Sequence, residues 1–485
     1  MILTDVNNQH SGLTLDIARS SLALTRRDVP DDLWDYTKSC IADAIGIGFA
    51  SHHYDFAGAT IAGVRSLGGS GTAPVIGLED RFDPRDAALL NGTLIHGLDF
   101  DDTHLASVVH CSASALPLAL AIASEQPVSG EELVLAVLIA TEIDARLGSA
   151  AGGTFQQLGF HPTGIVGIFG ATVAAVRLLG GSEDDAVRAQ GLALSMAGGS
   201  MAFLDEGSWT KRLHPGWAAQ SALTAAKLAM AGFEAPTEAY GGRYGFYALY
   251  TQDANNILKV NWQEAFREFA MSSVAIKPYP ICHFNHAPVD AALALREQHH
   301  IRPDAIESVT IHLHERQFGV VVDPLARKRR PESEYDAKFS APYAVAAALV
   351  RGQLGLQELA AESREDPVIL GLCQRIDCQH DDRSLYPKTF SGGVRIALRD
   401  GTTVEHFDTI NRGAEGRLLD EADVRRKFVQ NCRLVLSEAR SEALWRAVMD
   451  VESEGGCECL LQSLVGLGDV TTTGRSDQPL RSAVC

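Results

Sequence analysis

No stretch of this sequence stays apolar long enough to cross a bilayer. The most hydrophobic run, Gly164–Val176, is rich in glycine and alanine and stops at Arg177, short of the roughly 20 residues a membrane helix needs. It reads as a buried helix. Positive charge is scarce as well: 42 lysines and arginines face 61 aspartates and glutamates, a net charge of −19. Nucleic acid is excluded as a partner, because phosphate binding draws on clustered Lys and Arg. If such a chain binds an anion, the site must be a local positive island. C-x-x-C spacing is missing. Nine cysteines lie scattered at 40, 111, 282, 373, 378, 432, 457, 459 and 485, an odd number without a framework, which points to reduced thiols and a cytoplasmic setting. The opening MILTDVNNQHSG lacks the basic start and apolar centre of an export signal. There is no Walker A loop, no G-x-S-x-G elbow and no H-E-x-x-H, and Gly68-Gly69-Ser70-Gly71 does not complete G-x-G-x-x-G. The expectation is therefore no cofactor, no metal, no membrane and no nucleic acid.

What is present is the composition of a folded protein, 46% hydrophobic and 21% charged over 485 residues, enough for more than one core. Most of the first half carries helical spacing. Pro30-Asp31-Asp32 and Asp83-Pro84 are helix starts. Further helices are expected at Ala115–Ser124, Gly130–Leu147, Gly164–Leu179, Glu183–Ala197 and Trp217–Ala231. After about residue 270 the pattern changes. Ser308–His314 alternates like a strand, and Val394–Leu398 with Thr402–Asp408 flank Asp400-Gly401, a hairpin signal. Helices are expected at Ala287–Gln298 and Ala341–Val350, and again beyond Leu419. The fold class is mainly α: a large helical domain interrupted by a smaller α+β lid domain. The expected boundaries are 1–272 helical, 273–410 lid, 411–465 helical return and 466–485 a mobile tail.

Four clusters could carry chemistry. Asn91–His110, NGTLIHGLDFDDTHLASVVH, packs acids and histidines at the end of an apolar helix, the pattern of an acid–base site. If the helix continued, His96, Asp99 and Thr103 would share a face. Asp101 and Asp102 are expected to cap or to be solvated. Phe160–Gly164 places His161 before a helix start, near the positive end of a dipole. Gly207–Ala219 sets Lys211, Arg212 and His214 in a basic turn between Trp209 and Trp217. Lys277–Ala292 begins rigidly at Pro278 and Pro280 and presents Lys277, Cys282, His283 and His286. Zinc is not expected there, since Lys277 opposes a cation and carboxylates are missing.

Taken in order, LDFDDT at 98–103, FHPTG at 160–164, KRLHPG at 211–216, KPYPICHFNH at 277–286 and AKFSAPYAVA at 337–346 resemble the MmgE/PrpD family. That family holds 2-methylcitrate dehydratases, cis-aconitate decarboxylases and iminodisuccinate epimerase. The resemblance implies a helical domain with an α+β lid, a homodimer, and a pocket at Asp99, Thr103, His110, His161, Lys211 and Lys277. The candidate catalytic residues are His110, His161, Asp99, Lys211 and Lys277. Thr103, His214, His286 and Tyr343 are the candidate substrate-binding residues.

All three activities develop charge on a carbon beside a carboxylate. The lysines would clamp carboxylates and stabilise an enediolate-like state, with His110 and His161 as acid and base. The leading expectation is a cofactor-independent lyase on a small di- or tricarboxylate, a dehydratase of the 2-methylcitrate type. Epimerisation of an iminodisuccinate-type substrate comes second, and cis-aconitate decarboxylation third. The competing reading is a non-catalytic relative, in which these histidines and lysines would not converge. Lys277→Ala is expected to abolish turnover and leave thermal stability nearly unchanged.

Overall fold

A computed structural model describes residues 12–386 and 388–467. The body is built from helices α1 (Leu13–Ala23), α2 (Asp31–Ala50), α3 (Asp55–Leu67), α4 (Pro84–His96), α5 (Ser112–Ala123), α6 (Gly130–Ala150), α7 (Pro162–Leu178), α8 (Glu183–Leu194) and α9 (Thr210–Met230). Local chemistry sets their starts. Asp83 caps α4 by accepting from the Arg85 amide, with Pro84 at the first helical position. Ser182 and Asp185 close a capping box on α8. The apolar run expected to be buried is α7, and its Ile165, Ile168 and Phe169 are fully buried. Each such side chain contributes about 1.5–3 kcal/mol of burial.

α9 packs against both α4 and α7. Gly216 is the reason it can lie so close: a Cβ there would sit 2.2 Å from the Leu89 carbonyl oxygen, and one on Gly92 would sit 2.5 Å from the Gly216 Cα. This backbone-to-backbone crossing draws the first turns of α9 over the end of α4. The sequence expectation began this helix at Trp217. It starts seven residues earlier, at Thr210, and carries Lys211, Arg212 and His214 on helix rather than in a turn. Pro215 reads as a breaker, yet near the start of a helix it forfeits only the bond to the Lys211 carbonyl.

The lid holds helices α10 (His286–Gln298) and α11 (Ala341–Arg351) and strands β1 (Ile306–Leu313), β2 (Ile376–His380), β3 (Gly392–Leu398) and β4 (Thr403–Asp408). The sheet order is β2-β1-β3-β4, with β1 and β2 parallel and the other pairs antiparallel. The hairpin at Asp400-Gly401 forms, with three residues in its loop. The Leu398 amide donates to Thr402 at 2.8 Å, the Gly401 amide to Leu398 at 3.0 Å, and Gly401 takes φ +90. That is a type I turn closed by a left-handed glycine. The chain then returns through α12 (Glu421–Cys432), α13 (Glu438–Met449) and α14 (Gly456–Ser463).

The largest core draws its residues from 13–276 and again from 419–464, so the return helices complete the body. A separate core spans 279–396 and belongs to the lid. A third, from 47–100, fills the angle between α3 and α4. Of the expected tail, residues 468–485 lie outside the described residues. Among the described residues, no helix is long and apolar enough to cross a membrane. The eight described cysteines are all free.

Candidate active site

α4 ends at His96, and the chain turns sharply at Asp99, whose φ is +54. Asp99 and Thr103 therefore do not share a helical face with His96, contrary to expectation. The left-handed turn splays three successive carbonyls outward, and each receives a buried lysine from a different part of the chain. Lys338 of the lid donates to the Leu98 oxygen at 2.6 Å, Lys277 to the Asp99 oxygen at 2.9 Å, and Lys427 of α12 to the Phe100 oxygen at 2.9 Å. Beyond the turn, Thr103–His104 pairs antiparallel with Val274–Ala275, which fixes Lys277 beside Asp99.

The Asp99 carboxylate collects the two remaining basic clusters. Its Oδ1 accepts from Lys211 at 2.7 Å and from Lys277 at 3.1 Å, and His110 Nε2 stands 3.9 Å away. Two ammonium charges thus face one carboxylate, and all three side chains are nearly buried. This is the positive island that an acidic chain needs for an anionic substrate. Burial opposes ionisation of Asp99, but Lys211 and then Lys277 outweigh it and hold the carboxyl well below the usual range.

Behind His110 lies a group that sequence reading underrated. Asp101 was expected to cap or to be solvated; its side chain is fully buried between two imidazoles. Its Oδ1 lies 3.2 Å from His110 Nδ1, and its Oδ2 lies 2.8 Å from His96 Nδ1. Thr103 Oγ1 is 3.3 Å from the same His110 nitrogen, and the His110 amide donates to Thr163 on α7 at 3.1 Å. Burial raises the Asp101 carboxyl, while its ring partners His110 and His96 bring it well below the usual range. An aspartate on Nδ1 fixes the tautomer of His110 and leaves Nε2 as the reactive nitrogen. Asp102 does cap, accepting from the Ser112 amide at 3.1 Å and from its hydroxyl, but it is buried rather than solvated.

His161 sits at the N-cap of α7, as its position before Pro162 implied. Its ring stacks on His96 at 5.5 Å and lies 6.5 Å from His110, with His96 and His110 themselves 4.6 Å apart. Its Nδ1 is 3.0 Å from Nδ1 of His214, reached from the first turns of α9. Burial, then Lys211, pushes the His161 pKa well below its ordinary value. Burial likewise takes His96 and His214 down to about 4, so all three rings are neutral near pH 7.

Asp99, Thr103, His110, His161, His214, Lys211 and Lys277 therefore converge. Two candidates do not. Tyr343 is in the lid core, where its hydroxyl donates to the Glu358 carbonyl at 2.6 Å, so its assignment to substrate is corrected. It was carried by the KFSAPY motif, whose contribution to the site is Lys338. His286 is fully buried, with Nε2 on the Ile281 carbonyl at 3.2 Å and its ring 4.3 Å from His283, and it props the Lys277 segment from behind. Sequence reasoning missed His96 and Asp101 as site residues, although both lie in the dense acid–histidine stretch. Phe203 went unnoticed; it packs edge-on against His161 at 5.9 Å and against the lid residue Tyr335 at 6.5 Å.

His96, Asp101 and His110 also offer donor atoms that lie within 4.8 Å of one another, close enough to hold a cation. Asp101 Oδ2 is taken by His96 at 2.8 Å, while Asp101 Oδ1 and His96 Nε2 make no hydrogen bond among the described residues; what opposes a cation is the positive charge of Lys211 and Lys277 beside His110.

A helical body, an α+β cap and a buried cluster of lysines and histidines around Asp99 make up the framework, and the relatives that share it are named as lyases. The chain's N-terminal part, residues 15–258, matches the MmgE/PrpD N-terminal domain, and residues 279–452, the lid with most of the return helices, match the MmgE/PrpD C-terminal domain. The chain belongs to the MmgE/PrpD family. It is 26% identical to a cis-aconitate decarboxylase-like protein of Aspergillus oryzae, over 96% of this chain and 100% of that protein. It is 29% identical to the cis-aconitate decarboxylase of Mus musculus, over 89% of this chain and 88% of the mouse protein. With the 2-methylcitrate dehydratase of Cupriavidus necator the identity is 25%, over 79% and 82%.

Proposed function

We propose that this chain is a cofactor-independent lyase of a small di- or tricarboxylate, with decarboxylation of a cis-aconitate-like substrate as its first assignment. The observation that carries this reading is the pair of ammonium groups of Lys211 and Lys277 on Asp99, with His110 and His161 beside them. The lysines bind substrate carboxylate and stabilise the electron pair left when carbon dioxide departs. His161 delivers the one proton that the carbon takes up; decarboxylation releases none, so His110, backed by Asp101, has no proton to remove in this reading. Dehydration led the sequence expectation. Decarboxylation moves ahead because relatives so named align over 89% and 96% of the chain, against 79% for the dehydratase. Dehydration of a 2-methylcitrate-like substrate is the second reading: one histidine carries a carboxylate and the other does not, an asymmetry that suits a base and an acid acting together.

The test is incubation of chelator-treated protein in deuterated water with cis-aconitate, 2-methylcitrate, citrate and iminodisuccinate. Carbon dioxide release from cis-aconitate with one deuterium in the product is expected. Water loss from 2-methylcitrate without carbon dioxide moves the assignment to the second reading, and inversion of iminodisuccinate to an epimerase. Turnover of none of the four ends the proposal. We further propose a cytoplasmic homodimer that buries the exposed face of α9, where Trp209, Leu213 and Trp217 recur every fourth residue. Sedimentation of Trp217→Glu as a monomer would support this, and an unchanged wild-type monomer would refute it.

A further inference from the structure

His161 gives up its Nε2 proton from a neutral, buried ring, which would leave an imidazolate unless a proton reached Nδ1 at the same moment. His161 is 5% exposed, whereas His214 is half-buried beside the half-exposed loop at Gly198 and Gly199. The two rings meet through equivalent atoms, Nδ1 to Nδ1 at 3.0 Å. A contact of that kind holds one hydrogen, so one ring donates while the other accepts. The surroundings are cut to permit it: a Cβ on Gly164 would come within 3.1 Å of His214 Cβ, and one on Gly199 within 3.3 Å of its Nδ1. Burial first, and then Lys211 three residues before His214, make a standing positive charge on either ring unfavourable.

We propose that His214 is the proton relay that hands His161 a proton on Nδ1 as His161 gives one up at Nε2. This inference rests on His161 being the proton donor of the lyase reaction. In the starting state His161 carries its hydrogen on Nε2, and its Nδ1 accepts from His214 Nδ1–H. As the Nε2 proton leaves for the substrate carbon, the His214 Nδ1 proton crosses to His161 Nδ1. In the same movement a solvent hydronium or buffer acid protonates His214 Nε2. One proton enters from solvent, one reaches the substrate, and neither ring becomes an imidazolium or an imidazolate. When the product has gone, water in the emptied pocket returns a proton to His161 Nε2, and the chain runs backward to its first tautomers. A substrate-binding role for His214, the sequence expectation, has no need of this contact.

The experiment compares the full-length wild type with His214→Ala and His214→Gln. Removing a proton-transfer group costs roughly 100-fold in rate, so kcat should fall by that order in both variants, with KM little changed. Imidazole should restore kcat of His214→Ala in proportion to its concentration, because the free ring refills the gap. His214→Gln fills the space and should not respond. A normal kcat in either variant overturns the relay, as does a rise in KM without imidazole rescue. If the wild type turns over none of the carboxylates, the lyase reading fails, and the relay is judged without turnover. Nitrogen-15 labelling of the histidines should then show scalar coupling across the Nδ1–H···Nδ1 contact between residues 161 and 214; no coupling overturns the relay by itself.

Discussion

Lys277 meets Asp99 twice, giving one hydrogen to the backbone carbonyl at 2.9 Å and another to the carboxylate at 3.1 Å. It is therefore both the wall of a pocket and a brace of the chain turn on which that pocket stands. The sequence expectation that Lys277→Ala spares stability does not survive this. Asp99 keeps Lys211 as its ion partner at 2.7 Å, but its buried backbone carbonyl loses its donor, which costs about 1–3 kcal/mol. The single variant should lose both turnover and thermal stability. Calorimetry decides: an unaltered melting temperature for Lys277→Ala contradicts the brace.

Asp101→Asn should be catalytically crippled though folded. An amide can accept from only one of the two imidazoles and must turn a donor toward the other, so either His96 or His110 is forced into the wrong tautomer. Loss of proton-transfer competence on this scale is worth roughly 100-fold or more in kcat. Steady-state rates with a circular dichroism control measure it, and a variant within twofold of wild type removes Asp101 from the mechanism.

Tyr343→Phe is the matching negative control. It removes the hydroxyl that donates to Glu358 in the lid core, a loss of about 0.5–1.5 kcal/mol for a typical hydrogen bond. A lower urea midpoint with unchanged KM is expected. A raised KM would return Tyr343 to the substrate.

Stability should rise with pH between about 4 and 6.5. Burial lowers His96, His104 and His214 to about 4 and His286 to about 3, and pushes His161 well below its ordinary value. Over that window the unfolded chain holds protons that the native chain refuses, and raising the pH removes this advantage of the unfolded state. Buried carboxyls act oppositely. Burial raises Asp43 to about 7, Asp102 to about 6 and Asp144 well above its usual range, so the native state holds protons the unfolded chain has released. With His283, also pushed well below its ordinary value by burial, the strongly lowered histidines outnumber the strongly raised carboxyls six to three, which leaves a net rise. Urea midpoints at pH 4.5, 5.5 and 6.5 should increase in that order; a flat or falling series is the contrary result.

Chelation should leave the rate unchanged. His96, Asp101 and His110 are the one set among the described residues whose donor atoms come close enough for a cation. Elemental analysis of active protein should find less than one metal per chain. Activity lost to a chelator and restored by a divalent ion would convert the Asp101 bridge into a ligand set.

Periodicity and capping residues made most helices of the body legible, since each buries a broad apolar stripe behind a recognisable start. β2 was missed because Ile376–His380 is a five-residue edge strand in which only Ile376 is buried. The early start of α9 was hidden by Pro215, whose cost depends on its distance from the helix end, and that a linear reading does not know. Within the site, Lys211, Lys277, His110 and His161 were carried by local motifs. Asp101 was not distinguishable from Asp102, because an aspartate next to an aspartate gives no hint of which one a fold will bury. The three lysines on the Leu98, Asp99 and Phe100 carbonyls were beyond reach, since Lys338 and Lys427 find their acceptors across more than 200 residues.

Those three lysines make the pocket a checkpoint on synthesis. The turn that aims Asp99 is complete only when the lid, its junction and a helix near the chain's far end have each come home. A ribosome-bound fragment, or a chain cut in the lid, holds acids and histidines in plenty but no half-working pocket loose in the cell.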